Sequence, residues 1–115
     1  MRVGKFYRQE ELIISHVWCA EAMLERMRGL LGRAPLQIGQ ALLITPCNSI
    51  HTLGMKYSLD IVFIDATGTI LKICRNLRSF RMAGCIDAHS VIEFTAGEAE
   101  RIGLLVGDEL QWRFH

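Results

Sequence analysis

The sequence predicts a mainly β (α+β) domain, a compact antiparallel β-barrel or sandwich of seven to eight short strands with two short inserted helices. Three observations carry that expectation. Several short runs are rich in β-branched and aromatic residues, and some of them alternate apolar with polar. Asp65-Ala66-Thr67-Gly68 lies between two such runs as a hairpin signal. No repeated strand–helix–strand rhythm points to a parallel α/β sheet.

Each element follows from its own pattern. Residues 2–8 alternate enough for a first short strand, which Gly4 weakens. Residues 12–18, with Ile13, Ile14, Val17 and Trp18, read as a strand. The period then changes: Ala20, Met23, Leu24, Met27, Leu30 and Leu31 share one face of an amphipathic helix, with Glu21, Glu25 and Arg28 outside. Gly32 is placed to end it and Pro35 forbids continuation. Residues 41–45 form a buried strand stopped by Pro46, and residues 50–53 and 59–64 form two more, separated near Gly54. Residues 69–74 complete the hairpin, and 75–89 form the longest loop. Residues 89–95 are a strand with Ile92 and Phe94 on one face. Thr95-Ala96-Gly97-Glu98 matches a capping box, opening a short helix to about residue 102 that Gly103 stops. Leu110, Trp112 and Phe114 alternate with polar residues in a last half-buried strand.

At 115 residues the chain fits one domain, 1–115, large enough for a core without metals or disulfides. A net charge of +1 excludes a strongly basic body of the kind that binds nucleic acid non-specifically. No apolar run approaches the roughly 18–20 residues a membrane helix needs. The N-terminus carries no signal-peptide pattern, so a cytoplasmic protein is expected, and its four cysteines are expected to be reduced. Cys19 and Cys74 read as small buried hydrophobes.

The candidate site lies in residues 49–65, where His51, Thr52, Lys56 and Asp60 stand against an apolar run. Polar groups beside a core are costly unless hydrogen-bonded or used. An imidazole near a carboxylate can act as a general base or as an oriented donor. The same residues also suit a structural network, with Asp60 accepting amides of the Gly54 turn and His51 a satisfied core histidine.

The chain also resembles a family of small prokaryotic domains known as domain of unknown function 192. The matching residues are Arg28-Gly29-Leu30-Leu31-Gly32, Ala41-Leu42-Leu43-Ile44, Pro46-Cys47, Ser49-Ile50-His51-Thr52, Gly54-Met55, Leu59 through Asp65, Gly68, Ala96-Gly97 and Gly107-Asp108. They span about residues 10–112, in the branch that carries Ile-His-Thr where other members have Trp-Met-Lys-Asn-Thr. Ser58 departs from that branch, which usually has a proline before the apolar residue preceding Asp60. The resemblance implies a compact, mostly β fold and no particular activity.

The leading expectation is a domain, not self-evidently an enzyme, that binds a small polar ligand or a partner segment. His51, Thr52, Met55 and Asp60 would line its cleft, with Arg81 closing over. The alternative is a small hydrolase or transferase using Cys47 and His51, which requires an exposed and activated thiolate. A weaker alternative takes Cys47, His51, Cys85 and His89 as a metal site, since each Cys–His pair is four residues apart. Residues i and i+4 on a strand lie roughly 13 Å apart, so both pairs would have to sit in turns. Lys72, Arg75, Arg78 and Arg81 form a basic run that reads as a solvated loop or as an anion-binding rim. No cofactor, specific nucleic-acid partner or membrane contact is expected.

Overall fold

The computed structural model describes residues 1–23, 26 and 35–114. The helix expected over 20–31 and its stop at Gly32 fall mostly outside these residues; within it, the Arg26 N–H donates to the Ala22 carbonyl at 2.9 Å. The described chain forms β1 (Arg2–Arg8), β2 (Glu11–Ala20), β3 (Gln40–Ile44), β4 (Ser49–His51), β5 (Leu59–Ile64), β6 (Ile70–Leu77), β7 (Met82–Gly84), β8 (Ser90–Thr95), α1 (Glu98–Ile102) and β9 (Gln111–Phe114).

Seven strands make one sheet in the order β6-β5-β8-β3-β2-β1-β9, and β4 and β7 pair separately. The architecture is mainly β, but two expectations change. β2 and β3 run parallel, His16 opposite Gln40 through Ala20 opposite Ile44, so the sheet is mixed rather than antiparallel. Residues 21–39 supply the long crossover that a parallel pair requires. The sheet is also open and does not close as a barrel. Its edges touch only where Thr69 bridges Glu109, supported by the Ile70 N–H to the Asp108 carbonyl at 2.8 Å and the Leu110 N–H to the Gly68 carbonyl at 2.9 Å. Gly68 is required at that contact: its φ is +90°, and a Cβ would lie 2.1 Å from the Leu110 carbonyl oxygen.

The sheet is buried on both faces. One face carries Phe6, Ile14, Val17, Leu43, Val62, Ile92 and Phe94, covered by Ala99, Leu104 and Leu110. The other carries Leu42, Ile44, Leu59, Ile61, Phe63 and Val91, with Ile50 and Ala83 of the β4–β7 hairpin packed against it. This double coverage explains why β5 reads as a continuous apolar run: all six of its residues are buried. The loop expected over 75–89 contains β7 and the last turn of pairing of β6, held by register to β4 and β5.

Among the described residues one helix, α1, is present. Its entry differs from the expected capping box. Gly97, in the left-handed region at φ 97°, is the N-cap, and no side chain caps the helix from that position. The Gly97 and Ala99 N–H groups donate instead to Asp60 Oδ2, each at 2.9 Å. Glu98 turns to Arg101 and to the Gly39 N–H at 3.0 Å. Gly103 stops the helix in the left-handed conformation, φ 74°, as the sequence predicts.

Candidate functional site

The five residues expected to line one cleft are divided between the two faces of the sheet. Asp60 stands opposite Phe94, whose side chain belongs to the α1-covered face. Asp60 is 1 % exposed, and its Oδ1 accepts the Asn76 N–H at 2.9 Å while Oδ2 accepts Gly97 and Ala99. It ties β5 to β6 and to the start of α1, rather than to the turn at Gly54.

Thr52 lies at the end of β4, fully buried. Its Oγ1 donates to the Arg78 carbonyl at 2.6 Å and accepts the Arg81 N–H at 2.8 Å, and its own N–H reaches the Arg81 carbonyl at 2.9 Å. These bonds pin the 78–81 turn to the hairpin. Met55 is half-buried against the hairpin-side cluster. His51 is exposed on β4 opposite Met82, and Arg81 is exposed with Nη1 on the Phe80 carbonyl at 3.3 Å.

Cys47 and His51 do not form an activated pair. Cys47 Sγ donates to the Ser49 carbonyl at 3.1 Å, and no hydrogen bond joins it to His51 among the described residues. Burial pushes the Cys47 thiol up, and Glu93 adds to the rise against the opposing effects of Ser49 and Arg26. The backbone does bring the Cys47 and Cys85–His89 segments side by side, Cys47 N–H to the His89 carbonyl and Cys85 N–H to the Asn48 carbonyl, each at 2.9 Å. Among the described residues no three His, Cys, Asp or Glu side chains are grouped to hold an ion, so this geometry gives the metal alternative no support. The basic run spends three of its cations on separate carbonyls, Lys72 on Gly84, Arg75 on Leu104 and Arg81 on Phe80.

A different acid emerges under the hairpin. Glu93 sits in the middle of β8, with Leu42 of β3 and Ile61 of β5 directly opposite it, so its side chain emerges on the hairpin-covered face. It is 6 % exposed and has no hydrogen-bond or ion-pair partner among the described residues. Burial raises its carboxyl from 4.5 to about 7.

Three polar side chains lie within its electrostatic reach or share its neighbours. Tyr57 is pushed up by burial and then by Glu93, and its hydroxyl is buried without a partner. Cys47 feels both Glu93 and Arg26. Arg26 places Nη1 on the Pro46 carbonyl at 3.1 Å and leaves Nε buried without a partner. Buried polar groups without partners are rare in folded proteins and costly. Here two such atoms, the Tyr57 hydroxyl and Arg26 Nε, belong to residues that flank Cys47 and Glu93 electrostatically.

A concavity opens on the opposite face, at the corner where the sheet edges meet. It is a cleft of about 370 Å³ with Phe6, Leu43, Ile64 and Leu110 among its apolar walls and Thr45, Asp65, His89 and Ser90 among its polar ones. Ser90 Oγ donates to Thr45 Oγ1 at 2.7 Å and lies 3.0 Å from His89 Nδ1. Asp65 is held below the usual carboxylate range, chiefly by the Thr67 hydroxyl and then by the Thr69 N–H.

The fold thus defines a class: an open, mixed, mainly β sheet covered on both faces, with a buried acid beneath a small hairpin. The chain belongs to the DUF192 family, described as Uncharacterized ACR, whose model matches residues 7–112. Its structure is similar to that of a protein of unknown function from Novosphingobium aromaticivorans, with 18% identity, 96% of this chain and 84% of that chain covered, and a TM-score of 0.78. It is also similar to a protein described as a "putative transcription regulator" from Sinorhizobium meliloti, with 21% identity, 96% and 92% coverage, and a TM-score of 0.82. At these identities the likeness establishes the fold alone. Among curated proteins none matches the chain. No helix among the described residues is long and apolar enough to cross a membrane.

Glu93 carried a legible signal. It is the one charged residue inside the run Val91-Ile92-Glu93-Phe94, and a charge in the interior of a buried strand is the informative exception.

Proposed function

We propose that this domain binds a small polar ligand beneath the β4–β7 hairpin, with Glu93 as the floor and Arg26, Cys47 and Tyr57 around it. One observation carries the reading: Glu93 is buried to 6 % exposure with no hydrogen-bond partner among the described residues, and the Tyr57 hydroxyl and Arg26 Nε are buried without one. A fold tolerates such a cost where the groups are used. The half-buried Cys47, Met55 and Tyr57 provide a rim from solvent. The raised Cys47 thiol favours binding over nucleophilic catalysis. Four free cysteines support a reducing, cytoplasmic setting.

A thermal-shift screen of polar metabolites, followed by amide NMR mapping, tests the proposal. A bound ligand stabilises the native state by RT ln(1 + [L]/Kd), so weak binders register. The expected result is shifts at Cys47, Tyr57 and Glu93 that disappear in Glu93→Gln. Hits that map only elsewhere contradict it.

The corner cleft supports a second reading. Its volume and its apolar walls with a few polar groups are those of a small-molecule pocket. Shifts confined to Thr45, His89 and Ser90 favour that location.

A further inference from the structure

We infer that the outer side of the β4–β7 hairpin is a docking surface for an anionic lipid bilayer, which it enters with Leu53, Phe80 and Met82. Glu93 lies under the other side of the hairpin, so neither ligand reading bears on this surface.

The ribbon has two unlike sides. Ile50 and Ala83, opposite each other in register, pack inward on the sheet. The next pair, His51 and Met82, alternates outward and both are exposed, Met82 at 81 %. At the end of the ribbon two turns are tied together. The Met55 N–H donates to the Thr52 carbonyl at 3.1 Å, the Phe80 N–H to the same carbonyl at 3.3 Å, and Ser79 Oγ to the Met55 carbonyl at 2.5 Å. Leu53 and Phe80 therefore project from the same end, 52 % and 71 % exposed. Phe80 holds a φ of 60°, a costly conformation for an aromatic residue, and gains no burial in return.

Charge decides what covers this surface. Residues 49–57 and 78–86 contain Lys56, Arg78 and Arg81 and no Asp or Glu. Among the described residues the Lys56 and Arg78 side chains have no partner, and Arg81 reaches only the Phe80 carbonyl. An apolar patch flanked by unpaired cations complements a surface that is negative outside and apolar beneath, which is an anionic bilayer. Side chains exposed by half or more project rather than line a groove, so they suit a soft apolar phase better than a folded partner. Single-stranded nucleic acid calls for several stacking faces, and Phe80 is the one aromatic ring among the three. Asp87 borders the far end, next to the exposed Ile86, so entry is deepest at Leu53 and Phe80.

The test mixes the full chain with vesicles of phosphatidylcholine alone or with about one-third phosphatidylserine, and reads binding by co-sedimentation. Saturable binding to the anionic vesicles is expected, at least about tenfold tighter than to the neutral ones and weakened by raising salt from about 50 to about 500 mM. Amide exchange should slow at residues 51–56 and 78–83 in the bound state. Leu53→Ser with Phe80→Ser should weaken binding about tenfold, and Arg78→Gln with Arg81→Gln by a similar factor while flattening the salt dependence. All four positions are exposed, so the thermal midpoint of each variant should match that of the parent. Arg2→Gln with Arg113→Gln removes the same charge from the β1–β9 edge and should change binding by less than about twofold.

No co-sedimentation with anionic vesicles at low salt overturns the inference, and so does equal binding to neutral ones. Binding that the Leu53 and Phe80 substitutions leave unchanged overturns it too. So does protection of these segments by a single-stranded oligonucleotide or an acidic peptide in place of vesicles.

Discussion

Asp60 and Glu93 are two buried carboxyl groups one register step apart on the adjacent strands β5 and β8, and they project from opposite faces of the same sheet. Asp60 collects three backbone N–H groups from two segments, β6 and the start of α1. Glu93, buried almost as fully, collects none among the described residues. A carboxylate with both oxygens answered by backbone N–H groups is part of how the chain folds. One that is buried and unanswered lowers stability and is available to something else. Burial alone does not separate structure from site; the hydrogen-bond partners do.

The largest expected effect lies on the structural side. Asp60→Ala leaves the Asn76, Gly97 and Ala99 amides without their acceptor, and should cost about 4 kcal/mol in urea unfolding, given roughly 1.5–3 kcal/mol per charged hydrogen bond with partial relaxation. A loss below about 1 kcal/mol would erase the contrast between the two acids.

The next effect has the opposite sign. A folded-state value of about 7 for Glu93, above the unfolded 4.5, means that the folded state binds the proton more tightly. The associated stability is fully present below pH 4.5 and is lost as pH rises through 7. The loss is about 3 kcal/mol once both states are ionised. Glu93→Gln should therefore be the more stable protein at pH 8, with the difference shrinking toward pH 5 in chemical denaturation. An Asp60-like carboxylate would give a destabilised variant instead.

Three smaller predictions sharpen the same division. Thr52→Val should cost about 1–2 kcal/mol, because it strips the Arg81 N–H and the Arg78 carbonyl of their partner. Amide exchange should then quicken at residues 78–81. Tyr57→Phe removes a buried hydroxyl that has no partner, so stability should stay level or rise by under about 1 kcal/mol while ligand affinity falls. His51→Ala, exposed on β4, should change stability by less than about 0.5 kcal/mol.

The legible parts of this molecule are local. The 65–68 hairpin, the apolar β5 run and the Gly103 stop each follow from a few neighbouring residues. Asp60 stood out in the sequence as a polar residue inside an apolar run, but its partners did not. Gly97 and Ala99 lie 37 and 39 residues away, and only the β5–β8 register brings them to it. The capping box failed for the same reason: the helix start is held by a distant carboxylate, Asp60, through the Gly97 and Ala99 amides, while Glu98 turns to Arg101 and Gly39. The parallel β2–β3 pair was present as a single strand–helix–strand pattern, and that pattern permits a parallel crossover without needing repetition. Glu93 differs again, since its position inside residues 91–94 was visible and only its lack of a partner required three dimensions.

The most direct measurement is the titration of the Glu93 side-chain carboxyl, followed by carbon-13 NMR in the ligand-free protein with Glu93→Gln to assign the resonance. A midpoint near 7 is the expected result, matching a carboxyl held in an apolar neighbourhood without a partner. A midpoint near 4.5 would mean that Glu93 is solvated or paired, and would remove it as the floor of a binding site.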